Sequence, residues 1–142
     1  MEWWKDIYNK QIYFDLYEEE DTKLAEKEVQ LVLALLHPPD GARILDVCCG
    51  YVRYSIPLAQ RGFQVTGVDL SAKQIQHARE VARKARVHLD FHVADARKLD
   101  FHGVFDVVLN MFVSFGFFKD ENENKEVLRG VFRALKRGQA II

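Results

Sequence analysis

Apolar positions along the chain recur in two periods, and the switches between them predict an α/β domain. Thr22 to Leu36 has helical spacing, with Leu24, Val29, Val32, Leu33 and Leu36 on one broad face. Pro38-Pro39 and Gly41 stop it. A short apolar run (Ile44, Leu45, Val47) predicts a strand over 43–47, followed by a helix over 53–61 and a second strand over 63–68. Ser71 to Ala85 reads as a further helix, opened by a capping-box pattern of Ser71 with Gln74 three residues on. Val87 to Val93 alternates, with Val87, Leu89, Phe91 and Val93 on one face and His88, Asp90 and His92 on the other, as in a half-exposed edge strand. Val104 to Met111 is nearly all apolar, the pattern of a central strand buried on both faces. Asp120 caps a helix through Lys136 that presents Val127, Leu128, Val131, Phe132 and Leu135, and Gly138 ends it. Strands alternating with helices imply a parallel sheet with right-handed crossovers. Gln139 to Ile142 looks like the opening of a fifth strand. A sheet left there exposes an edge, which either a second copy of the chain completes or marks the sequence as a fragment.

Composition narrows the function classes. At 142 residues the chain is one domain by length. A net charge of −1 argues against a non-specific nucleic-acid or anionic-membrane partner. The longest nearly uncharged run, Val107 to Phe118, is too short to cross a bilayer. The opening MEWWKDIYNK has no apolar signal core, so export is not expected. The only cysteines, Cys48 and Cys49, are adjacent, which suits neither a zinc knuckle nor an unstrained disulfide. A reducing cytoplasm is the natural setting. Residues 1–20 are rich in aromatics (Trp3, Trp4, Tyr8, Tyr13, Phe14, Tyr17) and end in Glu18-Glu19-Glu20, which reads as an arm or short helices lying over the domain.

The most informative stretch is Ala42 to Ser71. It reads strand, small-residue turn, helix, strand, with a carboxylate (Asp46, then Asp69) at the end of each strand. In open parallel sheets ligands bind beyond the carboxyl ends of the strands, where the strand order reverses. Two acids placed there suit a ligand offering hydroxyl or ammonium donors, so the stretch predicts a nucleoside-cofactor pocket. Asp69 lies 19 positions after Gly50, a spacing at which an acid takes ribose hydroxyls, since a carboxylate accepts two donors at once. The plainer alternatives are a strand-end acid near a helix N-terminus for Asp46 and a turn acid before the Ser71 cap for Asp69.

The motifs ILDVCCG, GVDLS, VADARKL, FDVVLNMFVSFGFF and ALKRGQAII, taken in that order and spacing, resemble the class I S-adenosylmethionine-dependent methyltransferases from about Thr22 to the last residue. The resemblance implies a Rossmann-like, mostly parallel sheet with helices on both faces, lacking the family's C-terminal strands 6 and 7. It implies one domain over 1–142, with an aromatic arm (1–21) and a cofactor-binding core (22–142). The implied cofactor is S-adenosylmethionine, its product S-adenosylhomocysteine, and the partner an unknown, small-molecule methyl acceptor. Asp46, Cys48 and Gly50 then surround the methionine portion, and Leu70 flanks the adenine. Asp95 accepts the adenine amino group and the Ala96 amide faces a ring nitrogen, although an N-cap or Asx turn also favours Asp at that position. Asn110, Met111 and Phe112 fall around the methionine moiety and the reacting methyl, where the face of Phe112 or Phe115 can stabilise a sulfonium. For these rings, and for Tyr13 and Tyr17 of the arm, packing is the ordinary reading. Arg53 reads as solvated or carboxylate-facing. No catalytic residue follows from the motifs, and no histidine pair has metal-ligand spacing.

Two features depart from the family pattern. Its turn carries glycine at three alternate positions, which here hold Cys48, Gly50 and Val52. A β-branched residue resists positive φ and adds two methyls where backbone lies close to the methionine carboxylate, so Val52 predicts weaker cofactor binding than a Val52→Gly variant. The missing final hairpin removes much of the substrate side. These departures support an alternative reading, a degenerate cofactor-binding module without methyl transfer. A nicotinamide oxidoreductase ranks lower, because CCGYVR lacks the G-x-G-x-x-G that admits a pyrophosphate.

Overall fold

The structure, a computed structural model, describes residues 7, 8, 10, 22–111 and 114–142. Helix α1 (Thr22–Leu36) precedes β1 (Arg43–Val47), α2 (Ser55–Gln60), β2 (Gln64–Asp69), α3 (Ala72–Ala85), β3 (Asp90–Val93), a 3-10 turn (Ala96–Lys98), β4 (Phe105–Leu109), α4 (Glu121–Ala134) and β5 (Leu135–Ile141). The five strands form one sheet in the order β3-β2-β1-β4-β5, every pair parallel. From β1 the chain builds outward to β2 and β3 on one side, then returns to place β4 on the other. That reversal lies between β1 and β4, and opens a crevice at their carboxyl ends.

Strand residues feed the two faces alternately. Ile44, Val65, Val107 and Leu109 pack with Val29 and Val32 of α1 and Leu58 of α2. Leu45, Val47, Val68 and Val108 pack with Val131 and Ala134 of α4. Both expected N-caps form: Ser71 Oγ accepts from the Gln74 amide (3.1 Å) and Asp120 Oδ1 from the Asn122 amide (2.8 Å). The reciprocal half of the Ser71–Gln74 capping box does not form, because Asp69 Oδ1 takes the Ser71 N–H (2.9 Å).

Four expectations are corrected. Leu24 is half exposed, and Ala25 takes the buried place beside it on α1. On α4 the face against the sheet is Val127, Gly130, Val131 and Ala134, whereas Leu128 and Phe132 point outward, Phe132 with 81% of its surface exposed. Small residues win that face because the helix comes so close: a methyl on Gly130 would stand 3.2 Å from Leu99 Cβ. The helix stops at Ala134, and Gly138 lies inside β5, where the pairing register with β4 shifts between Phe105 and Val107. Glycine here marks a strand irregularity and not a helix end. Finally, β3 begins at Asp90, and Val93 is exposed because it ends an edge strand outside the core clusters.

Gly67 on β2 makes room for the site. An added Cβ would sit 2.9 Å from Cys49 Sγ and 3.0 Å from the Phe91 ring. Gly67→Ala is therefore expected to destabilise the fold by about 1–3 kcal/mol through overpacking. A urea midpoint unchanged from the parent protein would contradict this.

Candidate functional site

After β1 the chain turns through residues 48–54 before α2 starts. Three residues of this turn have positive φ: Cys48 (60°), Gly50 (51°) and Val52 (66°). They are the three alternate positions at which the resemblance places glycine. The turn is pinned by Cys49 N–H to Val68 O (3.0 Å), Val52 N–H to Cys49 O (2.9 Å) and Gly50 N–H to Asp69 Oδ2 (3.0 Å). Holding a β-branched residue there costs about 1–2 kcal/mol. Val52 offsets part of it by burial, since its side chain packs with Cys49, Ile75 and Ala78. Its methyls therefore lie under α3 and do not line the cavity described below. Of the two grounds for expecting Val52 to weaken binding, strained backbone is present and obstruction is not.

Of the two carboxylates, Asp46 is withdrawn from water and Asp69 is partly buried. Asp46 is 2% exposed, and Ser55 Oγ donates to its Oδ2 at 2.5 Å. Burial pushes its pKa up to about 7; the Ser55 hydrogen bond works against that rise and the nearby Asp69 adds to it. Asp69 accepts from Gly50 N–H through Oδ2 and from Ser71 N–H through Oδ1 (2.9 Å). Burial raises its pKa too, with these backbone donors opposing the rise. The same burial, reinforced by the carboxylates, pushes both the Cys48 and Cys49 thiols upward, so neither is a thiolate nucleophile.

These groups open on a cavity that is partly open to solvent. Of the sequence-predicted residues, Asp46, Cys48, Gly50, Asp69, Leu70, Asp95, Ala96 and Met111 line it together. Asn110 does not line it: its amide donates to Ile141 O (2.8 Å), and its buried side chain has no hydrogen-bond partner among the described residues. Phe112, Tyr13 and Tyr17 lie outside the described residues. Phe115 is partly exposed and not in the lining; Phe117 and Phe118 are. Tyr8, Tyr51, Gln74 and Ser114 also line the cavity and were missed. Ser114 and the two Phe sat inside a motif already quoted, but Tyr8 and Gln74 gave no such signal.

Asp95 joins two walls. Its Oδ1 accepts from the Arg97 amide (2.9 Å), capping the 3-10 turn, and the Arg97 guanidinium forks onto the same carboxylate through Nε (3.0 Å) and Nη2 (2.5 Å). Burial alone would raise the Asp95 pKa, but the Arg97 hydrogen bonds and charge outweigh it and hold the carboxyl below the usual range. Arg97 also donates to Glu123 Oε1 (2.5 Å) and lies 4.5 Å from the Phe118 ring centroid. Phe118 is anchored further by Asn124, whose Nδ2 donates to its carbonyl (2.8 Å). The N-cap reading of Asp95 is thus realised, and both of its oxygens are already engaged by Arg97, Oδ1 by the amide and Nε, and Oδ2 by Nε (3.1 Å) and Nη2. Arg53 faces a carboxylate: it pairs with Glu28 of α1, which also accepts from Tyr54 Oη (2.9 Å).

Comparison with known proteins agrees with this geometry. A methyltransferase domain model matches residues 44–138. The Bacillus subtilis protein YqeM, which carries a methyltransferase name, is 38% identical over 99 residues, 69% of this chain and 40% of its own length. The ubiquinone biosynthesis O-methyltransferase of Paramagnetospirillum magneticum is 41% identical over 78 residues, 55% of this chain and 31% of its own. Among solved structures, CalS10 with bound S-adenosylmethionine, an amino pentose methyltransferase of Micromonospora echinaspora, superposes with a TM-score of 0.69 at 25% identity, covering 89% of this chain and 52% of its own. The fold and the site define a Rossmann-like domain of class I type. The chain belongs to the S-adenosylmethionine-dependent methyltransferase domain family. It spans less than half the length of these two curated relatives.

The Asp46 environment carries a pH signature. With its folded pKa raised to about 7 from 3.8, neutral Asp46 contributes stability that is fully present below about pH 4 and is lost as pH rises through about 7. The stability difference between the parent and Asp46→Asn is expected to move against the parent across pH 4–7. Thermal midpoints of the two proteins that run parallel over this window would contradict the assignment.

Proposed function

We propose that this chain is the cofactor-binding part of an S-adenosylmethionine-dependent methyltransferase acting on a small-molecule acceptor. The observation that carries the proposal is the pair of carboxylates, Asp46 buried and Asp69 partly buried, on either side of a left-handed turn at the sheet's topological switch point. The residues fit the cofactor chemically. A ligand with an ammonium and a sulfonium suits a site lined by two carboxylates, and Asp69, whose oxygens accept backbone N–H groups, is placed to accept a ribose hydroxyl as well. When bound, the cofactor supplies an electrophilic methyl group. The chain's share is to position and desolvate: Asp46 and the Cys48–Gly50 turn hold the amino-acid end, and Asp69 and Leu70 the nucleoside. The Ala96 amide offers a donor to the adenine edge, and Asp95 fixes the 3-10 turn that carries it. Positioning of this kind accounts for most of what a methyl transfer asks of a protein.

The small-molecule class of acceptor is supported by the names of the ubiquinone and amino pentose enzymes. It approaches, in this reading, past Met111, Ser114 and Phe117, which line the cavity beyond β4. A cytoplasmic setting suits the two free thiols. The outer edge of β5 is unpaired among the described residues, and pairing there between two copies would extend the sheet.

Calorimetric titration with S-adenosylhomocysteine, with NAD as control, tests the proposal. Micromolar or tighter binding of the former alone is expected; no binding, or equal binding of NAD, would contradict it. Asp69→Asn is expected to weaken the complex by about tenfold or more, the loss of a charge-assisted hydrogen bond. Val52→Gly should stay within about threefold of the parent, under 1 kcal/mol, because its methyls face the core. A large gain in affinity for that variant would show that the strained turn itself limits binding.

A further inference from the structure

Asp95 differs from the other two carboxylates of the site in what it accepts from. Asp46 and Asp69 take a hydroxyl and backbone amides, neutral donors that cancel no charge. Asp95 is closed by a cation. A carboxylate offers about four lone-pair directions. Arg97 makes four contacts on this one: its amide (2.9 Å) and Nε (3.0 Å) on Oδ1, and Nε (3.1 Å) and Nη2 (2.5 Å) on Oδ2. Both side chains are 16% exposed, so the pair lies largely out of water, where an ion pair is screened least.

Arg97 is itself fixed from two further sides. Its Nη1 donates to Glu123 Oε1 (2.5 Å) in the first turn of α4, and its guanidinium carbon lies 4.5 Å from the centroid of the Phe118 ring. Swinging the guanidinium off Asp95 would break these contacts as well. Asp95, Ala96 and Phe118 line the cavity, and Arg97 does not. The resemblance gives Asp95 to the amino group of the adenine. A neutral amine competes poorly for an acid already held by a forked, charge-assisted pair. The Ala96 amide is a donor whatever Asp95 is bonded to, so its place on the purine edge is unaffected.

We propose that Arg97 is a positioning residue that withholds Asp95 from the ligand, so that the purine is read at a ring nitrogen by the Ala96 amide and its 6-amino group is not read by Asp95. This departs from what the resemblance implies for Asp95, and it rests on the proposed function, since it needs an adenine ligand. A site built to hydrogen-bond a group strongly rejects the analogue that lacks it, and a site without that bond does not. The cavity therefore tolerates a purine with no 6-amino group. It still rejects hypoxanthine, whose ring N–H would meet the Ala96 N–H donor to donor.

The test compares S-adenosylhomocysteine, its 6-deamino analogue and its hypoxanthine analogue by calorimetry, in the parent and in Arg97→Met. The parent is expected to bind the first two within about twofold of one another, and the hypoxanthine analogue about tenfold more weakly or worse. Arg97→Met removes the guanidinium and opens Asp95, so a preference of about tenfold for the amino purine over the 6-deamino analogue should appear, one hydrogen bond to a charged acceptor. General loosening of the fold would weaken all three ligands alike and leave their ratios in place. Should the methionine variant not fold, Arg97→Lys keeps the charge without the fork and should show a smaller preference in the same direction. A parent that binds the 6-deamino analogue about fivefold more weakly or worse overturns the proposal, because Asp95 then does read the amino group. An unchanged ratio in the variant overturns the role of Arg97, and equal binding of the hypoxanthine analogue overturns the reading through Ala96. Each of these leaves the proposed function standing; a parent that binds none of the three ligands overturns both.

Discussion

Two carboxylates that the fold brings together, one buried and one partly buried, set the terms for everything around them. Asp46 is next to last in β1 and Asp69 ends β2, on strands paired in parallel register, so the two acids lie near one another at the same end of the sheet. Burial of charge is costly unless it is paired or hydrogen-bonded. The chain responds with donors instead of cations: Ser55 to Asp46, and the Gly50 and Ser71 amides to Asp69. Delivering the Gly50 amide requires the tight turn with three left-handed residues, one of them Val52. Backbone strain is the consequence of that requirement, tolerated because the Val52 side chain finds a place beneath α3.

The remaining walls follow the same logic of fixed polar contacts around an open space. Arg97 ties Asp95, Glu123 and Phe118 into one assembly, linking the 3-10 turn after β3, the first turn of α4 and the segment after β4. On the opposite side Glu28 of α1 holds Arg53 and Tyr54. A cavity framed in this way is prepared for its ligand before the ligand arrives, which lowers the ordering cost of binding.

Much of this was legible in the residues because buried parallel strands leave an unmistakable apolar record. Ile44 to Val47, Val65 to Val68 and Val107 to Leu109 are buried strand residues, as their composition requires. Eight expected site residues converge on the cavity because strand ends and the turns after them are fixed by the sheet itself. What escaped reading had physical reasons. On α4 the close contact is made by Gly130 and Ala134, which carry little hydrophobic signal, while Leu128 and Phe132 carry much and face outward. Gly138 has the same appearance in a helix stop as in a strand irregularity. Asn110 was expected in the lining and is buried outside it, because a strand-end side chain can point to either face. That Gln74 lines the cavity was hidden by a capping pattern that fits its backbone and not its side chain. Tyr8 reaches the site through a contact spanning 66 residues, which no local periodicity encodes.

The central claim is that the buried Asp46 carboxyl is held ready for a cationic ligand. The most direct measurement is the enthalpy of S-adenosylhomocysteine binding at about pH 6.5 in two buffers of different ionisation enthalpy, which counts the protons exchanged. With Asp46 near its folded pKa of about 7, an arriving ammonium should favour the charged carboxylate and drive a proton off, and Asp46→Asn should abolish that release. Identical enthalpies in the two buffers, or a release that survives in Asp46→Asn, would contradict the account.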